Sequence, residues 1–251
     1  MTEYGTGWRP SPPDIRDWKP ETLKAMVKLQ VARPVAWTIP KDLYLSQGDK
    51  PFCVAYSGGY FIAAAGSQAP IVEGVDNAYC DQLYTEIKAI EGVLPGDPDF
   101  MEGACLRSLG KALKIRGVVD AYALTQDFVA ANDWVDHFGC VVLGTYWWTG
   151  MFTPDSVGRV HPTGSKAGGH AYLWAEKDQQ YDNVFPNTWG QSWGIDGRFS
   201  MSDLDTAGLM AENGEALLMV KLAANYSPPP PPVEKTTLCH FGKGMRRRGV
   251  K

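Results

Sequence analysis

Ser46-Gln47-Gly48-Asp49-Lys50-Pro51-Phe52-Cys53-Val54-Ala55-Tyr56-Ser57 is the stretch on which the fold turns. A polar loop carrying Gln47-Gly48 and a proline runs directly into an apolar segment. Proline suits a first-turn or pre-helix position and cannot lie deep in a helix. Phe61-Ile62-Ala63-Ala64-Ala65 prolongs the apolar run, and its length predicts a buried helix despite Gly58 and Gly59. Cys53 therefore stands where that helix starts. A free thiol titrates near pH ~8.5, and the partial positive charge of a helix N-terminus favours its nucleophilic thiolate.

More than a hundred residues downstream the chain reads Gly168-Gly169-His170-Ala171-Tyr172, then Pro186-Asn187-Thr188-Trp189-Gly190-Gln191-Ser192-Trp193-Gly194. His170 is read as opening a strand over Ala171–Ala175, with two glycines ahead of it that permit close backbone approach. An imidazole there suits a base that takes a thiol proton and returns it to a leaving amine. The Asn187 amide suits a group that fixes which ring nitrogen faces the sulfur, with Trp189 and Trp193 shielding that bond. Gln47, six positions before Cys53, suits a donor to an oxyanion beside the Cys53 backbone N–H. Cysteine, histidine, asparagine and glutamine in this combination are the groups a thiol protease needs.

The surrounding chain is that of an ordinary globular protein. It has 251 residues, 44% hydrophobic and 21% charged, enough to bury a core without disulfide staples. The formal net charge of -4 gives no overall nucleic-acid signature. No segment reaches the ~18 apolar residues of a membrane span, and the N-terminus lacks the pattern of a secretory signal. Synthesis and folding in a cytosol are therefore expected, with any outside destination reached by assembly into a larger particle such as a virion. The five cysteines, Cys53, Cys80, Cys105, Cys140 and Cys239, are odd in number, widely spaced and without a CxxC, which argues against a disulfide framework and a zinc site. Cys80, Cys105 and Cys140 read as small buried side chains. His137 and His161 lie beside loop signals without a matching partner, and no cofactor or metal site is expected.

Residues 1–40 are polar and punctuated by prolines, which predicts an extended arm over the domain surface with one short helix near Glu21–Leu29. Helical spacing recurs over Asn77–Glu91 and Leu106–Ile115. After Gly117 strands are predicted at Val141–Trp148, Ala171–Ala175, Asp182–Phe185, Arg198–Met201 and Ala216–Leu222, divided by turns at 178–180, 194–197 and 212–214. Helices first and strands second predict an α+β chain with two lobes over residues 41–225. Beyond it, Ser227 precedes five prolines, an extended spacer, and five of the last nine residues are basic. Residues 226–251 read as a solvated tail; the sharper alternative is an anchor for an acidic partner surface or nucleic acid.

These motifs resemble the papain family of cysteine peptidases, in the compact form of bacterial and phage members. Gln47-Gly48 to Cys53 resembles its Q-G-x-C-G-x-C-W segment. Gly169-His170-Ala171 resembles its histidine strand, Asn187-Thr188-Trp189-Gly190 with Trp193-Gly194 its N-S-W-G-x-x-W-G element, and Gly197-Arg198-Phe199 the strand that follows. The resemblance spans about residues 40–222. It implies a helical left lobe, an antiparallel β-barrel right lobe, a cleft between them, and hydrolysis of peptide bonds by Cys53, His170, Asn187 and Gln47. The chain departs from the pattern at Asp49-Lys50, where the family has a disulfide-forming cysteine. It departs again at Phe52 and Val54, which flank the nucleophile; Phe52 is expected to narrow the cleft. Cys53 and His170 are 117 positions apart, a little under the usual ~130–150. The arm and tail also fit a second reading, a binding module of an assembly such as a phage tail, with the arm and tail holding partners. A third, an amidase on cell-wall peptides, uses the same residues.

Overall fold

A computed structural model of the protein describes residues 4–27, 39–40, 42–64, 71–177 and 182–222. The proline spacer, the basic tail and Cys239 lie outside these residues, as do the turn at 178–180 and the end of the helix expected near Glu21–Leu29. What is described of that helix is α1, Pro20–Met26. Among the described residues no helix is long and apolar enough to cross a membrane.

The first lobe is built on α2, Cys53–Ala63, all of whose residues are buried. Its two glycines allow neighbours to approach: a Cβ at Gly58 would lie 2.6 Å from Leu109 Cδ1, and one at Gly59 2.5 Å from Cys80 Sγ. Close packing thus outweighs their cost to helix propensity, about 1 kcal/mol each. Against α2 lie α3, Asn77–Ile90, and α4, Leu106–Ile115. Asp76 caps α3 by accepting from the Tyr79 N–H at 2.8 Å. The three core helices start where the hydrophobic spacing predicts.

The second lobe holds two antiparallel sheets. Four strands run in the order β1 (Ala121–Thr125), β7 (Glu215–Val220), β2 (Val141–Trp148), β3 (Lys166–Trp174). Three more pair as β4 (Glu176–Lys177), β5 (Asn183–Pro186), β6 (Arg198–Met201). Among the described residues these sheets do not close into a barrel, so the lobe is open where the resemblance implies a closed one. Two helices stand where strands dominate the sequence reading: α5, Phe128–His137, and α6, Asp203–Ala211. Each has a side-chain cap, Asp127 to the Val129 N–H and Ser202 to the Asp205 N–H.

Strand β3 is longer than predicted. It begins at Lys166, so His170 sits mid-strand instead of opening it. Gly168 and Gly169 pair with Trp147 and Tyr146 of β2; strand propensity disfavours glycine, and cross-strand pairing overrides it here. The register also sets Gly144 of β2 between Ala171 of β3 and Glu215 of β7. The helix that begins at Cys53 and the strand that carries His170 come from different lobes, and α2 packs on β3.

The loop before α2 has its own fastening. Lys50, at a position near the family's missing cysteine, makes 2.6 Å bonds to both carboxylate oxygens of Asp81 on α3. Tyr56 Oη donates to the same carboxylate at 2.8 Å. An ion pair thus ties the loop to α3. Phe52 does not narrow the cleft: its ring turns into the first lobe and stacks on Tyr84, centroids 3.7 Å apart, with Phe100 at its edge.

Candidate active site

Cys53 is the first residue of α2, and Phe52 offers no side-chain cap. Its backbone N–H is among the helix's first N–H groups, which have no intrahelical acceptor and gather the positive end of the helix dipole. Across the lobe boundary the His170 Nε2 is 2.7 Å from Asn187 Oδ1. That oxygen also accepts from the Thr188 N–H at 2.8 Å. An oxygen receiving both contacts requires Nε2 to carry the proton, which leaves Nδ1 as the basic nitrogen. Nδ1 is buried without a hydrogen-bond partner. Gln47, Cys53, His170 and Asn187 are all fully buried. The structure brings Gln47 to the asparagine loop, where Thr188 Oγ1 donates to Gln47 Oε1, and joins His170 to Asn187.

The histidine is clamped by aromatic rings. Trp189 stacks on it at 4.5 Å and Trp147 meets it edge-on at 4.9 Å. Trp147 is fully buried and also touches Trp189, Trp193, Phe199 and Tyr172. The sequence reading missed it, because a tryptophan in a strand carries no local mark of this role. Trp147→Ala should cost about 3–5 kcal/mol in chemical unfolding; a loss below ~1 kcal/mol would show that the ring is not the support for His170.

The feature that sequence reading misplaced is the start of the arm: residues 4–8 run between the two lobes, whereas residues 9–20 are exposed or half-buried along the surface, as expected. Gly5 N–H donates to Gly48 O at 2.9 Å, and Gly5 O accepts from Gln47 Nε2 at 3.2 Å and Trp189 Nε1 at 3.0 Å. The Gly7 and Trp8 N–H groups both reach Gly169 O, at 2.7 and 2.9 Å. On the other wall Ala104 N–H donates to Gly7 O at 2.8 Å and Arg9 N–H to Ala104 O at 2.9 Å. Trp8 and Ala104 pair in parallel. A Cβ at Gly5 would stand 2.1 Å from Lys50 O, and one at Gly7 2.2 Å from Pro51 O. Only glycine fits at these two positions, and that alternation was the signal available in Gly5-Thr6-Gly7-Trp8.

The plug sets the electrostatics. Burial pushes the Cys53 thiol up to about 12, only partly offset by backbone N–H groups of Ala171 and Gly7. Burial holds His170 down at about 4, against the pull of its bond to Asn187. Both groups are therefore neutral in the closed cleft at pH 7. A histidine whose folded pKa lies below its unfolded value of ~6.5 costs stability as pH falls between those values, because the unfolded chain binds the extra proton. Glu215 opposes this: burial raises its carboxyl, so its protonation favours the closed form. The stability difference between the wild type and His170→Gln should shrink by up to ~3 kcal/mol from pH 6.5 to 4. A pH-independent difference in thermal unfolding would contradict the neutral, buried imidazole.

The other histidines stay outside the site. His137 bonds within α5 to Asp133, and His161 lies near Asp155 and Asp205. Cys80, Cys105 and Cys140 are buried and free. Among the described residues no three or more His, Cys, Asp or Glu side chains gather as metal ligands would.

No family model and no curated protein matches the sequence. Solved structures do. Xylellain, a cysteine protease from Xylella fastidiosa, is 16% identical with a TM-score of 0.60, covering 88% of this chain and 97% of its own. Procathepsin B S9 from Trypanosoma congolense is 14% identical with a TM-score of 0.54 over 87% and 86%. Digestive procathepsin L 3 from the midgut of Tenebrio molitor larvae is 13% identical with a TM-score of 0.50 over 78% and 72%. With these likenesses added to the two lobes and the placement of α2 and β3, the chain has the two-lobed papain-like cysteine peptidase fold.

Proposed function

We propose that the protein is a cysteine peptidase whose own N-terminal arm keeps it shut. The observation that carries this reading is the oriented pair: His170 Nε2 bound to Asn187 Oδ1, with Nδ1 buried and unpartnered. Such a nitrogen suits a base awaiting a proton. In the reaction Cys53 Sγ gives its proton to His170 Nδ1 and attacks the peptide carbonyl. The oxyanion receives hydrogen bonds from Gln47 Nε2 and the Cys53 backbone N–H. His170 returns the proton to the departing amine, and water releases the acid product from the thioester with the imidazole again as base. No cofactor enters these steps.

Two observations support the closed state. The Gln47 amide, needed for the oxyanion, is already engaged by Gly5 O and by Lys50 O. The thiol is deeply buried beneath the arm, with its pKa raised. The same observations favour, as second reading, a binding module with an idle cleft. Alkylation separates the two. Once the arm is displaced, Cys53 should react with iodoacetamide at pH 6 faster than a free thiol; a rate no faster would leave the binding module. Substrate screening on casein, peptide libraries and cell-wall peptides then separates a general peptidase from an amidase.

A further inference from the structure

A glutamine side chain offers an acceptor oxygen and an NH₂ group with two donors. In Gln47 both ends are engaged. Thr188 Oγ1, from the second lobe, donates to Oε1. Nε2 donates to Lys50 O at 2.5 Å and to Gly5 O of the arm at 3.2 Å. When the arm leaves, the bond to Gly5 O goes with it, and that donor is free for an oxyanion. The bond to Lys50 O stays, because both partners belong to the loop before α2.

The loop makes this bond by folding back on itself. Gln47-Gly48-Asp49-Lys50 is a tight turn closed by the Lys50 N–H on Gln47 O at 3.3 Å. Gly48 within it has a φ of +62°, a left-handed conformation that favours glycine. Gly48 and Asp49 are exposed, so no core packing fixes the tip of the turn. The Lys50 side chain fixes its far end. Nζ meets both carboxylate oxygens of Asp81 at 2.6 Å, and lies 3.5 Å from Tyr56 Oη and 5.1 Å from the centre of the Phe52 ring. Tyr56 is buried in α2, and its hydroxyl holds the same carboxylate at 2.8 Å. Lys50 thus grips α3 with its side chain and Gln47 with its carbonyl.

We propose that Lys50 is the positioning residue of the oxyanion donor: its ion pair with Asp81 holds in place the carbonyl that aims Gln47 Nε2. The pair is partly exposed, so it contributes direction more than stability. The inference rests on the peptidase reading for its effect on rate, but not for its effect on the Gln47 amide.

The test uses the full chain carrying Gly7→Val, whose side chain cannot fit beside Pro51 O, so that the start of the arm leaves the cleft. In this arm-displaced chain the NMR order parameter of Gln47 Nε2 should lie near the rigid value of ~0.85, and Lys50→Met should lower it below ~0.6. The same change should lower kcat about 10-fold, less than the ~10²–10³ of losing the donor, with KM within about 2-fold. Lys50→Arg should restore both readouts, since a guanidinium also pairs with a carboxylate. Tyr56→Phe, which frees one side of Asp81 without altering charge, should have a smaller effect of the same kind. With Gln47→Ala added, Lys50→Met should cost nothing further, because residues acting through one group are not additive. An unchanged order parameter in a folded Lys50→Met chain overturns the proposal. So does a 10-fold loss that persists beside Gln47→Ala, which would mean that Lys50 acts on the site by another route. If Lys50→Met loosens the amide but the parent hydrolyses no peptide, the peptidase reading falls alone. If the parent hydrolyses peptides and Lys50→Met keeps its full kcat, the positioning role falls alone.

Discussion

Replacing Cys53 by alanine in the arm-displaced chain should abolish peptide hydrolysis, lowering kcat by about 10⁴–10⁶ with little change in substrate affinity. In the proposed mechanism this thiol forms the covalent intermediate, so no neighbour would substitute for it. Cys80, Cys105 and Cys140 are also buried and free; Cys105 precedes α4 and lies 3.2 Å from Ser108 Oγ, and none of the three starts the helix that packs on β3. Cys80→Ala should therefore retain activity within a few-fold. His170→Ala should fall as far as Cys53→Ala, and the double variant should be no worse than either, since groups acting as one unit are not additive. Asn187→Ala should lose less, because Trp189 and Trp147 still hold the ring. Measurable turnover in Cys53→Ala, or loss in Cys80→Ala, would place the nucleophile elsewhere.

Displacing the arm should produce the second largest effect. In the closed chain the thiol is pushed up to about 12, so its thiolate appears only at strongly alkaline pH. Exposed to water and set beside an imidazole at a helix N-terminus, the same thiol would titrate at or below ~8.5. The thiolate fraction at pH 7 then rises by about 10³-fold or more, and the iodoacetamide rate with it. Gly7→Val suffices, because its Cβ meets Pro51 O and no flexible side chain can give way. The closed wild type should show a rate that climbs with pH without a plateau below pH 10, while the variant should plateau near neutrality. Circular dichroism must show that the variant stays folded. A folded Gly7→Val chain with unchanged labelling would mean that the arm does not govern access to Cys53.

The helices of the first lobe were legible because their signals are local. The apolar spacing of Asn77–Ile90 and Leu106–Ile115, and Pro51 ahead of Cys53, need no knowledge of partners. The histidine-asparagine half of the site was legible for a similar reason, since its residues cluster with tryptophans and glycines in one short element. The helices α5 and α6 carry caps at Asp127 and Ser202 that were readable in principle; they were lost among β-rich neighbours. The extension of β3 over Gly168 and Gly169 was not readable, because propensity alone disfavours it and only pairing with β2 permits it. Phe52 was misjudged for want of Tyr84, 32 positions away in sequence and stacked on it in space.

By itself, the sequence determined the candidates for chemistry: the thiol at a helix start, the imidazole, the amide beside it and the upstream glutamine. These follow from residue type and short-range pattern, which the chain carries with it everywhere. Tertiary structure alone decided what state those groups are in. Gly5 to Arg9 bond to Gly48 and Ala104 of the first lobe and to Gly169 of the second, so these contacts need both lobes in place. The burial that follows sets the protonation of Cys53 and His170, because desolvation depends on everything that surrounds a group. The same long-range contacts bury Glu215 and give its carboxylate the Trp8 indole and the Ser11 hydroxyl as donors.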